Sequence, residues 1–410
     1  MTKTFTTDAK SERFVAMDVL RGFALLGILL LNIQSFAMPS AAYLNPTAFG
    51  DLSGVNALVW QVSHLLADQK FMSIFSMLFG AGIILFADNA ERKHGSSAAL
   101  HYRRTFWLLC FGLMHGYLFW YGDILYAYAM SGFLVYLLRR KSTTTLLIVA
   151  AVLLIIASGY SLLIGMSLPY FPPEAIAGMK DSWAPDTAEL TKEISAFQGS
   201  FIAALEHRAG ETFFMQTYVF LTVFIWRASA MMLIGMALYK SGFFQLSWST
   251  SQYRNVALTC LPLGLIIVAV GMTQNTANGF TLEYSMFLGS QFNYWGSILV
   301  ALSYASLIMI VVKKGLFTGA QKRLAAIGKT AFSNYIMHTL ICTTVFYGYG
   351  LGLFSEIERW QQLLMVFAIW AIQLWLAPLW LKHYQFGPLE WAWRSLTYWQ
   401  RQPIRNLENN

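Results

Sequence analysis

The sequence predicts an all-α fold: a polytopic integral-membrane bundle of about ten transmembrane helices, with N- and C-termini cytoplasmic. Three observations predict it. Of 410 residues, 57% are hydrophobic and only 12% charged, against about 25% charged in a soluble domain. The apolar residues gather in ten continuous runs, most of them near the ~20 residues that cross the hydrocarbon of a bilayer. The basic residues fall in short clusters between those runs rather than along a face. The same composition excludes a soluble enzyme, a disordered chain and a nucleic-acid binder; the net charge of +8 forms no basic stripe of the kind nucleic acid requires.

The runs follow in order. Val19–Met38 opens the bundle; it is long for the apolar region of a signal peptide and reads as a first span. Phe71–Asp88, Arg104–Phe119, Ile124–Leu138 and Thr144–Met166 complete the first half. Phe213–Tyr239, Asn255–Met272, Gly289–Val312, Ile327–Tyr349 and Gln361–Leu381 form the second. None shows the dyad alternation of barrel strands. Residues 52–66 are moderately apolar, but they hold His64 and end at Asp68-Gln69-Lys70.

Charge arbitrates that segment, because cytoplasmic loops carry the excess of Lys and Arg. The clusters are Lys3/Lys10/Arg13, Arg92/Lys93/Arg103/Arg104, Arg139/Arg140/Lys141, Lys240/Arg254, Lys313/Lys314/Lys322/Arg323 and the tail from Lys382 to Arg405. Ten spans put all six on one side, and an eleventh at 52–66 would split them. Residues 52–66 are therefore read as an interfacial or re-entrant helix on the outer face. Residues 167–212 hold seven acids against Lys180, Lys192 and Arg208, which suits an extracytoplasmic cap on a single membrane domain (1–410). Cys110, Cys260 and Cys342 all lie inside apolar runs, so no disulfide framework is expected.

An ionisable residue inside a span is costly and marks a functional hypothesis. Asp18 and Arg21, three apart at the start of span one, share a helix face; Arg21 is a candidate anion ligand. Asn32 lies eleven residues on, about three turns and roughly 16 Å further along that face. His115 follows Arg104 by the same interval, between Gly112 and Gly116, and Asp123 comes just after the turn. A histidine beside a carboxylate can act as general base, the acid fixing its tautomer. Asp68 and Lys70 precede span two, either snorkelling at the interface or carrying charge into a cavity. Arg227 sits mid-span with no acid in its own helix. Asn334 and His338, four apart, share one face of span nine. No phosphate-binding Gly-rich loop, His-Glu-x-x-His pair or Gly-x-Ser-x-Gly elbow occurs, and no metal is expected.

Several strings, taken together, carry a resemblance: DVLRGFALLGILLLN (18–32), AYLNP (42–46), KFMSIFSMLFGAG (70–82), GLMHGYLFWYGDIL (112–125), MMLIGMALYKSG (231–242), GKTAFSNYIMHTLICTTVFY (328–347) and GPLEWAWRSLT (387–397). In this order the chain resembles the YeiB-like membrane proteins (domain of unknown function 418), within the wider transmembrane acyltransferase group that includes a lysosomal heparan glucosaminide acetyltransferase and surface-polysaccharide O-acyltransferases. The resemblance implies a bacterial inner-membrane protein that takes an acyl group from cytoplasmic acyl-CoA, such as acetyl-CoA, to an acceptor hydroxyl or amine on the outer side. The acceptor would be a glycan, lipid or small molecule. It implies a site role for Asn32, which matches an Asn late in the relative's first span. The relative's catalytic His after that span has no counterpart here, the nearest being His64, so His115 with Asp123 is the expected base.

The expected enzyme site is thus His115, Asp123 and Asn32 as catalytic residues, with Arg21, Arg104, Arg227, Lys70 and Asn334 binding substrate. Two rivals stand beside it. One is a secondary transporter or flippase for an anionic metabolite or lipid, with Arg227 as ligand. The other is a non-catalytic scaffold in which these polar groups are all satisfied by packing.

Overall fold

The computed structural model describes residues 5–405, with side chains from residue 15 onward. Lys3 of the first basic cluster and the side chains of Lys10 and Arg13 lie outside the described residues. Among those described, the backbone is helical, and the only strand-like pairing is an isolated bridge between Tyr384 and Arg405.

The helices are α1 (Phe5–Ala37), α2 (Ala41–Leu44), α3 (Gly54–Leu66), α4 (Lys70–His94), α5 (Ala98–Leu118), α6 (Leu125–Val135) and α7 (Thr143–Ser167). After them come α8 (Pro173–Trp183), α9 (Thr187–Phe197) and α10 (Phe201–Phe214), which winds through a π-helical stretch, Met215–Phe224, into α11 (Ile225–Lys240). The rest are α12 (Thr250–Ala277), a π-helical turn Leu282–Gly289 leading into α13 (Ser290–Lys313), then α14 (Thr318–Lys329), α15 (Ala331–Phe346), α16 (Arg359–His383) and α17 (Pro388–Tyr398).

Seven stretches among the described residues are long and apolar enough to cross a membrane: Val15–Ala37, Gly54–His94, Thr143–Tyr170, Phe201–Lys240, Thr250–Ala277, Leu282–Lys313 and Arg359–His383. They contain seven of the ten expected runs. The other three correspond to α5, α6 and α15. α5 carries Arg103 and Arg104 in its first half, and α15 has 16 residues, about 24 Å of helix against the ~30 Å of a hydrocarbon core.

Burial sorts centre from rim. The apolar windows of the stretches holding α1 and α4 are 61% buried, while those of α7, α12 and α16 are only 22% buried. Leu147, Ile148, Val152, Ile155 and Ile156 of α7 are all exposed. In water so large an apolar surface would be a liability; in lipid it is the solvent-matched face. α3 is built the same way. Val55, Leu58, Val62 and Leu66 point outward, and Asn56, Trp60 and Ser63 are buried. Gln69 at positive φ separates α3 from α4, so residues 54–66 are a helix of their own.

Two glycine contacts hold the centre. A Cβ on Gly80 (α4) would lie 1.9 Å from the Met232 carbonyl oxygen of α11, and one on Gly235 would lie 1.9 Å from that of Met77. Small residues on both partners let these backbones touch, as membrane helix pairs favour.

The stretch Phe201–Lys240 has 40 residues, about 60 Å of helix and twice the hydrocarbon thickness. Helices α8 and α9 are tied to the rest of the bundle. Asn45 donates to the Trp183 carbonyl at 3.1 Å, Trp183 donates to Phe280 at 2.7 Å, and Gly348 N donates to the Phe197 carbonyl at 2.8 Å.

Candidate functional site

His115 stands on the last turn of α5, and Asp123 ends the tight connection to α6. The sequence brings them together through glycine. A Cβ on Gly112 would lie 2.4 Å from Tyr126 N, so only glycine lets α6 fold back this closely. His115 Nδ1 lies 2.7 Å from Asp123 Oδ1. The other carboxylate oxygen accepts the Tyr126 N–H at 2.8 Å, satisfying one of the free donors at the start of α6. The acceptor at Nδ1 makes that nitrogen the protonated one. Nε2 is then a lone-pair acceptor, and Thr339 Oγ1 of α15 lies 2.9 Å from it.

The result is a line of carboxylate, imidazole and hydroxyl from three helical elements. The histidine is 3% exposed and the threonine 1%. Around it stand the rings of Tyr335 at 5.2 Å and Trp120 at 6.2 Å, centroid to centroid. Trp120 stacks on Phe36 of α1 at 4.2 Å. Its Nε1 is buried with no hydrogen-bond partner among the described residues, as is Nε2 of Gln216, which lies against Gly116.

Thr339 is the residue sequence reading missed. It lay inside the string 328–347, beside His338, but the pair Asn334/His338 drew attention to a different face of the helix. Residues 335 and 339 face α5. Asn334 and His338 face α16, where His338 Nε2 lies 2.8 Å from Gln373 Oε1 and Gln373 donates to the Asn334 carbonyl at 3.0 Å. The Asn334 amide is spent on Thr330 in its own chain segment, so that face packs rather than opening toward the relay.

Asn32 is half-buried, and its side chain makes no hydrogen bond among the described residues. It shares a helix face with Ser35 and Phe36, and both of these meet the α5–α6 connection: Tyr121 OH donates to the Ser35 carbonyl at 3.5 Å, and Phe36 stacks on Trp120. Asn32 thus lies one turn inward of that contact.

Lys70 and Arg227 belong to a second buried network between α4, α11 and α13. Lys70 is fully buried and does not snorkel. It donates to the His64 carbonyl and to Asn293 Oδ1, each at 2.7 Å, and Asn293 passes a donor to Asp68 at 2.7 Å. His64 Nδ1 lies 3.1 Å from the same carboxylate. Arg227 donates to the Tyr294 carbonyl at 2.9 Å, to Ser297 at 2.8 Å and to Ser73 at 3.3 Å, and its Nε is unpartnered. Two buried cations share one nearby acid.

Arg21 pairs with Asp18 at 2.7 Å and reaches the Gly328 carbonyl of α14. Arg104 lies between the Phe86 and Trp393 rings, 4.7 and 4.4 Å from their centroids. The eleven-residue spacings do not make continuous polar paths. Leu25 interrupts the face from Arg21 to Asn32, and Leu108 that from Arg104 to His115; both are buried. An open groove of about 680 Å³ is lined by Leu85, Asp88, Glu91, Arg92, Tyr239 and Gln245, none of them an expected site residue.

Glu193 of α9 accepts from Ser40 N at 2.8 Å and from its hydroxyl at 3.4 Å, which ties α9 to the segment that follows α1. Burial pushes its carboxyl up to about 7; the Ser40 N–H opposes this, and the Glu211 charge adds to it. A raised carboxyl contributes stability that is present below its unfolded value, near pH 4.5, and lost as pH rises through 7. The loss is on the order of 3 kcal/mol. The thermal unfolding midpoint in detergent is therefore expected to fall from pH 4.5 to 7.5 in the wild type and less steeply in Glu193→Gln. Parallel curves for the two proteins would remove Glu193 as the source.

A family model described as "Protein of unknown function (DUF418)" matches residues 238–400. The chain is 31% identical over 388 residues to the Escherichia coli (strain K12) protein YeiB, covering 94% of this chain and 96% of that one. It is 28% identical over 409 residues to the Bacillus subtilis (strain 168) protein YxaH, covering 96% of each. A 39.9 kDa Bacillus acidopullulyticus protein is similar at 28% identity over 396 residues, covering 97% of each.

Proposed function

Because the chain belongs to the DUF418 family of YeiB-like membrane proteins, whose description names no reaction, we propose its function from its own buried relay: an integral-membrane acyltransferase. The observation that carries the reading is the Asp123–His115–Thr339 line, with bonds of 2.7 and 2.9 Å. A carboxylate-held imidazole with its free nitrogen on a hydroxyl is the arrangement that takes a proton from an attacking oxygen. Asp123 holds the tautomer, and His115 Nε2 removes the proton. Asn32, on the face that meets the α5–α6 connection, is placed in the role of positioning the acyl carbonyl.

In this reading the ten-span topology keeps both termini cytoplasmic, in the inner membrane of a bacterium, and the relay lies in the outer half of the bilayer. Arg21 and Arg104 mark the cytoplasmic edge, where the phosphates of an acyl-CoA would pair with guanidinium. His115 is eleven residues from Arg104, about 16 Å along the axis, a distance that the extended arm of the donor could bridge. The acceptor is a hydroxyl or amine on the outer side, under the cap.

The purified protein is expected to bind acetyl-CoA and hydrolyse it slowly without an acceptor, and His115→Ala to abolish the hydrolysis while leaving binding. No binding, no hydrolysis and no effect of the substitution would end the proposal.

A second reading is supported by the Lys70–Asp68–Arg227 network. Two buried cations against one carboxylate would suit a transporter that admits an anion to that place. Gradient-driven uptake of an organic anion into proteoliposomes, lost in Arg227→Met and without acetyl-CoA binding, would favour transport over transfer.

A further inference from the structure

Thr339 is set apart from the threonines around it. Thr330 donates to the Ala326 carbonyl at 2.8 Å and Thr344 to that of Leu340 at 2.7 Å, the usual resting place of a helical hydroxyl. Thr339 instead reaches across to another helix and meets His115 Nε2 at 2.9 Å. It is 1% exposed, and valine would fill the same volume. The hydroxyl earns its place through the imidazole.

A second observation stands beside it. The indole N–H of Trp120, 2% exposed and packed against His115, has no partner among the described residues. Buried indole N–H groups usually find one. The Gln216 amide nitrogen beside Gly116 is unpartnered too. An unpaired donor packed against the imidazole, the Trp120 N–H, is suited to a carbonyl oxygen that gains charge during attack.

We propose that Thr339 is a nucleophile that carries the acyl group as a covalent ester, with Trp120 Nε1–H as a donor to the acyl oxygen. The inference rests on the acyl-transfer reading above. In the first step the Thr339 oxygen bonds to the carbonyl carbon of an acyl thioester and the C–S bond breaks. The proton passes from Oγ1 to His115 Nε2 and on to the departing sulfur, which leaves as a free thiol. In the second, an acceptor hydroxyl attacks the ester and gives its proton to His115. The C–Oγ1 bond breaks, and that proton returns to Oγ1.

The test mixes the full-length protein in detergent with acetyl-CoA labelled in the acetyl group, followed by acid quench and peptide mass spectrometry. The wild type is expected to carry hydroxylamine-labile label on Thr339. Thr339→Ser is expected to keep it. Thr339→Val is expected to lose it and to hydrolyse acetyl-CoA about 10³-fold more slowly or worse, with acetyl-CoA binding unchanged. Trp120→Phe is expected to slow hydrolysis by about 10²-fold with the label still on Thr339. Wild-type hydrolysis with no label at Thr339, or Thr339→Val turning over at the wild-type rate, overturns this inference and leaves acyl transfer standing. A wild type that does not cleave acetyl-CoA overturns both. The labelled wild-type peptide decides the matter even if a variant fails to fold.

Discussion

Asp123→Asn is expected to lower acyl turnover by about 10⁴-fold while leaving a folded protein. The carboxylate accepts from His115 Nδ1 at 2.7 Å and from Tyr126 N at 2.8 Å. An asparagine can still accept from Tyr126 with its carbonyl oxygen, so the start of α6 keeps its partner. Its amide nitrogen then faces His115 as a donor. The imidazole must turn its lone pair to Nδ1 and its proton to Nε2. It can no longer accept a proton from the Thr339 hydroxyl or from an acceptor there. Acetyl-CoA hydrolysis measured beside the unfolding midpoint separates the two effects. Turnover within a few-fold of wild type in a folded Asp123→Asn protein would reduce the His115–Asp123 pair to packing.

Gly80→Ala is expected to be strongly destabilising for a single added carbon. The new carbon would lie 1.9 Å from the Met232 oxygen and 2.6 and 2.7 Å from the carbonyl carbon and Cα of that residue. These are backbone atoms, so no side chain can turn away. Helices α4 and α11 must separate, and the reciprocal Gly235–Met77 contact opens with them. Overpacking of this kind costs about 3 kcal/mol or more. Gly82, two residues on in the same helix, has open space at its Cβ position, and Gly82→Ala should be neutral or slightly stabilising. Unfolding midpoints of the two variants in one detergent give the comparison. Equal midpoints would show that the α4–α11 contact is not what holds the centre.

The sequence by itself determined the solvent and the class. Long apolar runs with so few charges and no dyad alternation read as helices in lipid, because a helix satisfies its own backbone where no water can. It also offered His115 and Asp123 as a candidate pair. Eight residues with glycines at 112, 116 and 122 leave little else for the connection to do, and the structure puts the two side chains at 2.7 Å. The separate helix at 54–66 was legible in the same way, from polar residues that spoil a span.

Contacts between distant segments were decided by tertiary structure alone. Thr339 is 224 residues from His115, and no spacing within one helix reports it. The rotation of α15 within the bundle sends 335 and 339 toward α5 and 334 and 338 toward α16. Arg227 has no acid in its own helix and Lys70 only Asp68 beside it in sequence, yet α13 supplies Asn293 to Lys70 and Ser297 and the Tyr294 carbonyl to Arg227. Shared facing of Arg21 with Asn32, and of Arg104 with His115, followed from helix periodicity and says nothing of what lies between; Leu25 and Leu108 fill that space. A helix's own period fixes which residues share a face. Only packing against other helices decides what that face meets, and in this protein that decision added Thr339 to the His115–Asp123 pair.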